Sequence, residues 1–318
     1  MEKSVSIIIP VYNGAKYLPQ CLDSLLCQDY RNFKIILIND GSKDNSASVI
    51  EEYVKKDDRI TFINNTVNRG QSFTRNCGLE NLDSEYFTFI DCDDWVESNY
   101  ISTLVSLHDE NTLLTACGFK YQKRSTRHFK NKNSEIKQFD VNQALCEVIS
   151  DKNLFGVVWN KLYKTALLKD LRFLNNLGAG EDLVFNIYYL LNNRSESGTV
   201  RSTNAKLYHY VATQGHESGL SCSIEKYNKQ KTIFQALEDI KNLPALVENK
   251  EFRLRINSWL FLMSLQFIFF SKKVKLPKEK KNFKTMAKNY LADYKTQIDN
   301  YSIFRKQGVL LYGLTKLL

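Results

Sequence analysis

Between Ser4 and Asp94, short β-branched runs alternate with segments whose apolar residues recur at helical spacing. Ser4 to Pro10 (SVSIIIP) has the length and content of a buried strand, and Leu18, Cys21, Leu22, Leu25 and Leu26 after it mark one face of a helix. Phe33 to Asp40 (FKIILIND) predicts a second strand, followed by a turn at Gly41-Ser42 and a helical stripe at Ala47, Ile50 and Val54. Ile60 to Ile63, Gln71 to Leu82 and Tyr86 to Asp91 continue the order as strand, helix and strand. Repeated βα units predict an α/β fold with a mainly parallel sheet covered on both faces. A helix near Ser98 to Asp109 and a strand near Thr112 to Phe119 follow, and residues 120 to 140, polar and basic, predict an excursion or hairpin at the domain edge. Gly178-Ala179-Gly180-Glu181-Asp182 leads into an apolar helix from Leu183 to Leu191. From about Ile224 onward only helical patterns remain, which places a boundary around Ser218 to Ser223: residues 1–220 as the α/β domain, 221–318 as a helical C-terminal region.

The chain has 318 residues, 43% hydrophobic and 25% charged, with 19 Phe and 17 Tyr, enough to build a sizeable core. Its formal charge of +9 suits nucleic acid, an anionic ligand or an anionic membrane surface, without choosing among them. The seven cysteines contain no C-x-x-C pair and mostly lie in apolar runs, as expected of reduced core thiols in a cytoplasmic protein. Met1-Glu2-Lys3-Ser4 runs directly into a strand, so no signal peptide is expected. Ile256 to Phe270, the longest apolar stretch, is short of the roughly 20 residues of a spanning helix and carries Asn257, Ser258, Ser264 and Gln266.

In a doubly covered parallel sheet, ligands bind beyond the carboxyl ends of the strands. Here those ends are Pro10-Val11-Tyr12-Asn13, Asn39-Asp40-Gly41-Ser42, Asn64-Asn65 and Asp91-Cys92-Asp93-Asp94. Residues two apart on an extended chain face one way, so Asp91 and Asp93 can offer carboxylates to one point, a pair suited to Mg²⁺ or Mn²⁺ with substrate phosphate oxygens. The same acids fit a helix N-cap cluster before Val96-Glu97-Ser98. Asp40 is either a turn residue or an acceptor for a base or ribose, and Tyr12 could stack on that base. Gly70 permits close backbone approach, and Arg75, early in its helix, suits either a diphosphate or a surface ion pair.

Ser6-Ile7-Ile8-Ile9-Pro10-Val11-Tyr12-Asn13, Ile38-Asn39-Asp40-Gly41-Ser42-Lys43-Asp44, Asn68-x-Gly70 with Arg75-Asn76-x-Gly78, and Asp91-x-Asp93-Asp94 stand in an order and spacing that resembles family 2 of the inverting glycosyltransferases with GT-A (Rossmann-like) fold, of bacterial surface-polysaccharide type. The resemblance covers roughly residues 4 to 220 and fades beyond. It implies a donor site containing Pro10, Tyr12, Asp40, Arg75, Asp91, Cys92 and Asp93, with Tyr12 on the base, Asp40 bonded to it, Arg75 near the nucleotide and Asp91 at the ribose. It implies Asp93 as ligand to Mn²⁺ or Mg²⁺ on the donor diphosphate, and a further metal ligand from a loop histidine, His216 in preference to His209. Glu181-Asp182 matches the family's Glu-Asp motif, which makes Asp182 the expected catalytic base and puts Glu181 on the acceptor side. Both acids also fit simple helix capping. Trp159 and Lys161, in VVWNKLYK, resemble the acceptor-side segment, although a tryptophan there is equally a core residue.

The expected activity is transfer of a single sugar from a nucleotide-sugar donor, a UDP-sugar first, to a hydroxyl of a glycan acceptor, lipid-linked in the leading reading, at the cytoplasmic face of the membrane. Lys272, Lys273, Lys275, Lys278, Lys280, Lys281 and Lys284 follow the apolar segment and suit an anionic membrane surface as well as a solvated turn. Two other classes compete. A sugar-phosphate nucleotidyltransferase calls for a Gly-rich, Arg-containing loop after the first strand, which PVYNGAKYL matches poorly; a basic nucleic-acid-binding module predicts steep salt dependence but has no recognised motif here.

Overall fold

The structure is a computed structural model, described here for residues 2–122, 134–150, 154, 156–195, 197–211, 224–273 and 277–297. The first half builds the sheet through β1 (Val5–Val11), α1 (Leu18–Leu26), β2 (Phe33–Asp40), α2 (Ser46–Val54), β3 (Ile60–Asn65), α3 (Gln71–Glu80) and β4 (Tyr86–Phe89). Then follow β5 (Trp95–Val96), α4 (Tyr100–Ser106), β6 (Thr112–Gln122), β7 (Ile136–Asp140), α5 (Val141–Ser150), β8 (Lys161–Lys164), α6 (Glu181–Asn192) and β9 (Thr199–Val211). Four helices end the described chain: α7 (Ile224–Lys241), α8 (Pro244–Val247), α9 (Lys250–Lys273) and α10 (Pro277–Gln297).

The strands form one sheet in the order β3-β2-β1-β4-β8-β6-β9-β5, with β7 also pairing with β9. The β3-β2-β1-β4 half is wholly parallel, as the βα alternation requires. The mainly parallel expectation holds there but weakens beyond β4: β8 runs antiparallel to both β4 and β6, whereas β6 and β9 are parallel. Pattern reading misses this change because β8 is a four-residue strand inside a loop-rich stretch.

Alternation of side chains divides the core between the two faces of the sheet. Val5, Ile7, Ile9 and Val11 of β1, with Ile35 and Leu37 of β2, pack beneath α1, α2 and α4, while Ile8, Ile36 and Ile38 face the opposite way. The second core is continuous from Phe87 and Phe89 through Phe185 and Leu190 of α6 to Tyr227 and Phe234 of α7 and Phe252 and Phe261 of α9. Each such fully buried apolar side chain stabilises the fold by roughly 1.5–3 kcal/mol. The helical region from Ile224 therefore shares a core with the sheet; the boundary expected at Ser218 to Ser223 lies outside the described residues. No disulfide joins cysteines among the described residues, and no described helix is long and apolar enough to cross a membrane.

Candidate active site

The carboxyl ends of β1, β2 and β4 open into a cleft of about 1060 Å³. Pro10, Tyr12, Asp40, Arg75, Asp91, Cys92, Asp93, Trp159, Glu181 and Asp182, ten of the residues singled out in the sequence, all line it. They come from six separated chain segments, so their convergence is a property of the fold.

On the β1-β2 side, two loops are laced together. Asn13, at φ 52°, accepts the Lys43 N–H on its side chain (2.8 Å), Ser42 Oγ accepts the Asn13 N–H (3.0 Å), and Ser46 Oγ accepts the Gly14 N–H (2.9 Å). This fixes the backbone beside Tyr12, whose side chain remains 48% exposed at the cleft mouth. Cys92 closes against the same loop: a Cβ on Gly14 would stand 2.9 Å from its Sγ. Asp40 is buried, and its two oxygens accept the Arg69 N–H (2.8 Å) and the Gly70 N–H (2.9 Å). It thereby holds the turn into α3 at Gly70, where φ is 90°, and each oxygen keeps a further acceptor lone pair.

At the cleft floor, α3 carries Arg75, only 1% exposed, into a group of carboxylates. Its guanidinium donates to Asp91 Oδ1 (3.2 Å), to Glu181 Oε1 (3.2 Å) and to Asp182. Arg75 is therefore no surface ion pair: acidic groups from the segment after β4 and from α6 hold it in a buried hub that still lines the cleft. One cation against three carboxylates leaves the cluster electronegative. Burial pushes the Asp182 carboxyl up from 3.8 to about 7; Arg75 opposes this, and Glu181 and Asp91 reinforce it.

The first acidic motif is not a helix cap. Asp91-Cys92-Asp93-Asp94 runs into strand β5, while α4 begins later, after Asn99. Asp94 is buried and turned away from the cleft: its carboxylate accepts Tyr208 Oη (2.6 Å) and the Val211 N–H (2.7 Å), and burial beside Asp91 and Asp93 raises its affinity for a proton. Tyr208 Oη in turn accepts the Asp91 N–H (3.2 Å), tying the motif to β9. At α6, Gly180 is the left-handed residue before the first turn; Glu181 and Asp182 lie in that turn, where the helix dipole favours acids, and their side chains also face Arg75.

Lys161 does not reach the acceptor side. It is wholly buried, and its ammonium donates to the Val157 carbonyl (2.6 Å) and to Asn160 Oδ1 (3.0 Å), because β8 directs it into the interior beneath its own loop. Its effect on the site is indirect, through the 157–160 loop, whose Val158 N–H donates to Asp182 Oδ2 (3.3 Å). Trp159 lines the cleft but is only 5% exposed, stacked on Tyr208 at 4.3 Å. His209 is also buried, with Nε2 2.8 Å from Glu97 Oε1 and its ring stacked on Trp95 at 3.6 Å, and it does not line the cleft. His216 lies outside the described residues.

Sequence reading overlooked Asn186. Its side-chain NH₂ donates to the Gly156, Val157 and Asp182 carbonyls and its Oδ1 accepts Tyr163 Oη, clamping the 157–160 loop to the start of α6. A polar residue on the buried face of an otherwise apolar helix was the available signal. Phe119, Tyr121 and Tyr210 also line the cleft and went unnoticed; the two-residue spacing of aromatics in β6 and β9 marked them.

Among the described residues no cluster of three or more His, Cys, Asp and Glu side chains is arranged to hold a metal ion. Asp91 and Asp93 nevertheless fit one: both line the cleft, and carboxylates alone suffice for Mg²⁺ or Mn²⁺ when substrate phosphate oxygens and water complete the shell.

Residues 6–172 match Glycosyl transferase family 2. Glycosyltransferase GlyA of Streptococcus pneumoniae serotype 4 is 34% identical over 226 residues, 68% of this chain and 31% of that protein. EpsH of Bacillus subtilis strain 168 is 30% identical over 270 residues, 82% of this chain and 75% of that protein. The chain thus spans under a third of GlyA's length and most of EpsH's. In fold it resembles residues 1–349 of Staphylococcus aureus TarS in complex with UDP-GlcNAc, with TM-score 0.60 and 19% identity over 91% of this chain and 92% of that one. It also resembles mannosyltransferase PcManGT of Pyrobaculum calidifontis in complex with GDP-Man and Mn²⁺, with TM-score 0.56 and 14% identity over 93% and 87% of the two chains. The chain belongs to glycosyl transferase family 2.

Proposed function

We propose that this glycosyltransferase moves one sugar, with inversion, from a UDP-sugar to a hydroxyl of a glycan acceptor, and that Asp182 is the general base. The observation that carries this reading is the placement of Asp182: on the floor of the cleft, backed by Arg75, with burial raising its proton affinity toward neutrality. A base poised near the working pH combines a usable ionised fraction with real driving force for proton removal. Asp182 accepts the acceptor proton as the hydroxyl oxygen bonds to the anomeric carbon and the bond from that carbon to the diphosphate oxygen breaks. Arg75 keeps Asp182, Glu181 and Asp91 in fixed relation, so the base needs no reorientation during transfer. Glu181 lies beside the base, on the acceptor side. Tyr12 offers the base of the nucleotide an exposed ring, and Asp40 retains lone pairs for its N–H groups.

Asp93, with Asp91 beside it, would hold Mn²⁺ or Mg²⁺, which supplies neutralising charge to the departing nucleoside diphosphate. Supporting a uridine donor is the structural likeness to TarS in complex with UDP-GlcNAc, and supporting a divalent ion is the likeness to PcManGT in complex with Mn²⁺. The membrane-facing, lipid-linked acceptor reading draws on α10, which buries Phe283, Ala287, Tyr290 and Tyr294 and exposes Lys278, Lys281, Lys288 and Lys295. Work at the cytoplasmic face of the membrane is part of the same proposal.

The test is binding and hydrolysis of a panel of nucleotide sugars with Mn²⁺, Mg²⁺ or chelator. Metal-dependent preference for one UDP-sugar is expected, Asp93→Ala abolishing it. Asp182→Asn is expected to keep UDP binding while turnover falls by about 10²–10⁴. Undiminished turnover in Asp182→Asn would remove the base assignment, and absence of binding to every nucleotide sugar would remove the donor assignment.

A further inference from the structure

Beyond the reacting groups, the cleft contains an aromatic array that donor chemistry leaves unused. β6 and β9 run side by side with Phe119 opposite Tyr208 and Tyr121 opposite Tyr210. Residues two apart on a strand share a face, so the four rings point the same way. Tyr121 and Tyr210 have ring centroids 5.0 Å apart at 55°, and Tyr210 continues onto Trp159 at 5.7 Å and 25°. Trp159 is held from behind by Tyr208 at 4.3 Å and edge-on by Phe119 at 5.0 Å and 90°.

Exposure along this array is graded. Tyr208 and Trp159 are buried, Tyr210 is half-buried and Tyr121 is 72% exposed. An isolated exposed tyrosine is ordinary, but one packed at a tilt against a fixed row of rings that leads into a reactive cleft is pre-organised for contact. Position within the sheet chooses the ligand. Tyr12 and Asp40 stand at β1 and β2, whereas β6 and β9 lie across β4 and β8 from them, on the side where the 157–160 loop meets Asp182. The array reaches Asp182 through the 157–160 loop and the Asp91–Asp94 motif through Tyr208, while Tyr12 and Asp40 stand at the other end of the same cleft.

We propose that Tyr121 and Tyr210, backed by Trp159, form an acceptor subsite that takes the apolar C–H face of the pyranose ring adjoining the sugar that reacts at Asp182. This rests on the glycosyl-transfer reading and narrows the acceptor to a chain of at least two sugars presenting a flat C–H face. A ring face covers such a surface while leaving the sugar hydroxyls in water, and the two tyrosines lose little conformational freedom in doing so. Tyr121 and Tyr210 are binding residues; Trp159 positions them.

Saturation-transfer NMR tests this on the full chain with UDP and Mn²⁺ present, using N-acetyllactosamine, cellotetraose and chitotetraose as probes. At least one probe is expected to receive saturation at its ring C–H protons. Tyr121→Ala is expected to raise that probe's Kd about three- to tenfold, the loss of one ring stacking, and Tyr121→Phe to leave it within about twofold. Tyr121 is exposed, so its truncation leaves the core intact, and the circular dichroism spectrum of the alanine variant checks this. If UDP binds and no probe does, or if a probe binds Tyr121→Ala as well as the parent, the subsite is overturned and the transfer reading stands. If UDP itself fails to bind with metal present, the transfer reading falls and the subsite falls with it.

Discussion

Charge is the most consequential quantity at the scale of single residues. Arg75 faces Asp91, Glu181 and Asp182, and burial of Asp182 lifts its carboxyl to about 7 against the pull of the guanidinium. Only the ionised carboxylate accepts a proton, so kcat/KM is expected to rise with pH through about 7 and to level above it. Replacing Arg75 with Met removes the larger of the two neighbours that favour ionisation, leaving the Val158 N–H, and is expected to move the midpoint upward by about 1–3 units. A kcat/KM profile of each protein between pH 5 and 9 checks both statements, and a parent profile flat down to pH 5 contradicts them. The stability linkage has the opposite slope. Because the folded pKa exceeds the unfolded value of 3.8, the folded state binds more protons between about 4 and 7, and this group's contribution to stability declines as pH rises across that window.

Among the elements, α3 decides where Arg75 sits. Its Gly78 lies so close to β1 and β2 that an added Cβ would stand 2.3 Å from Ile8 Cγ2 and 3.3 Å from Ile38 Cδ1. Both isoleucines are fully buried, so they have little room to give way. Gly78→Ala is expected to destabilise the fold by about 1–3 kcal/mol, more than the roughly 1 kcal/mol gained in helix propensity, as read from the urea midpoint. An unchanged midpoint would mean that α3 can lift off the sheet without cost. Lifting α3 also moves Arg75 off its carboxylates, so kcat is expected to fall with stability. The α3 element and its glycine were legible in the sequence; the partners of Arg75 were not, since Asp91 and Asp182 are 16 and 107 positions away.

Across the whole molecule, the C-terminal helices reach the turn that leads into Asp182. The Gly178 N–H donates to Thr232 Oγ1 at 3.0 Å, and a Cβ on Gly180 would stand 2.7 Å from Ile233 Cδ1. α7 therefore backs the Gly178-Ala179-Gly180 turn directly, and its Tyr227 and Phe234 belong to the same core as Phe185 and Leu190 of α6. A fragment of residues 1–220 would expose that apolar surface; it is expected to lose cooperative thermal unfolding or to be recovered only as aggregate. A soluble fragment with the parent's melting curve would show that the helical region is an independent attachment.

Local patterns sufficed for the βα alternation of residues 4 to 91, for the strand ends that open into the cleft, and for the acidic and glycine-containing motifs at those ends. These are set by periodicities of two and about 3.6 residues and by turn chemistry, which act over a few neighbours. Tertiary structure alone decided the rest. It brought Arg75 into a buried hub, sent Lys161 inward, turned Asp94 onto Tyr208 and set Tyr121 against Tyr210. Each of these depends on strands that are distant in sequence becoming neighbours in the sheet, and on burial making a charge or a ring seek a partner that no local pattern names.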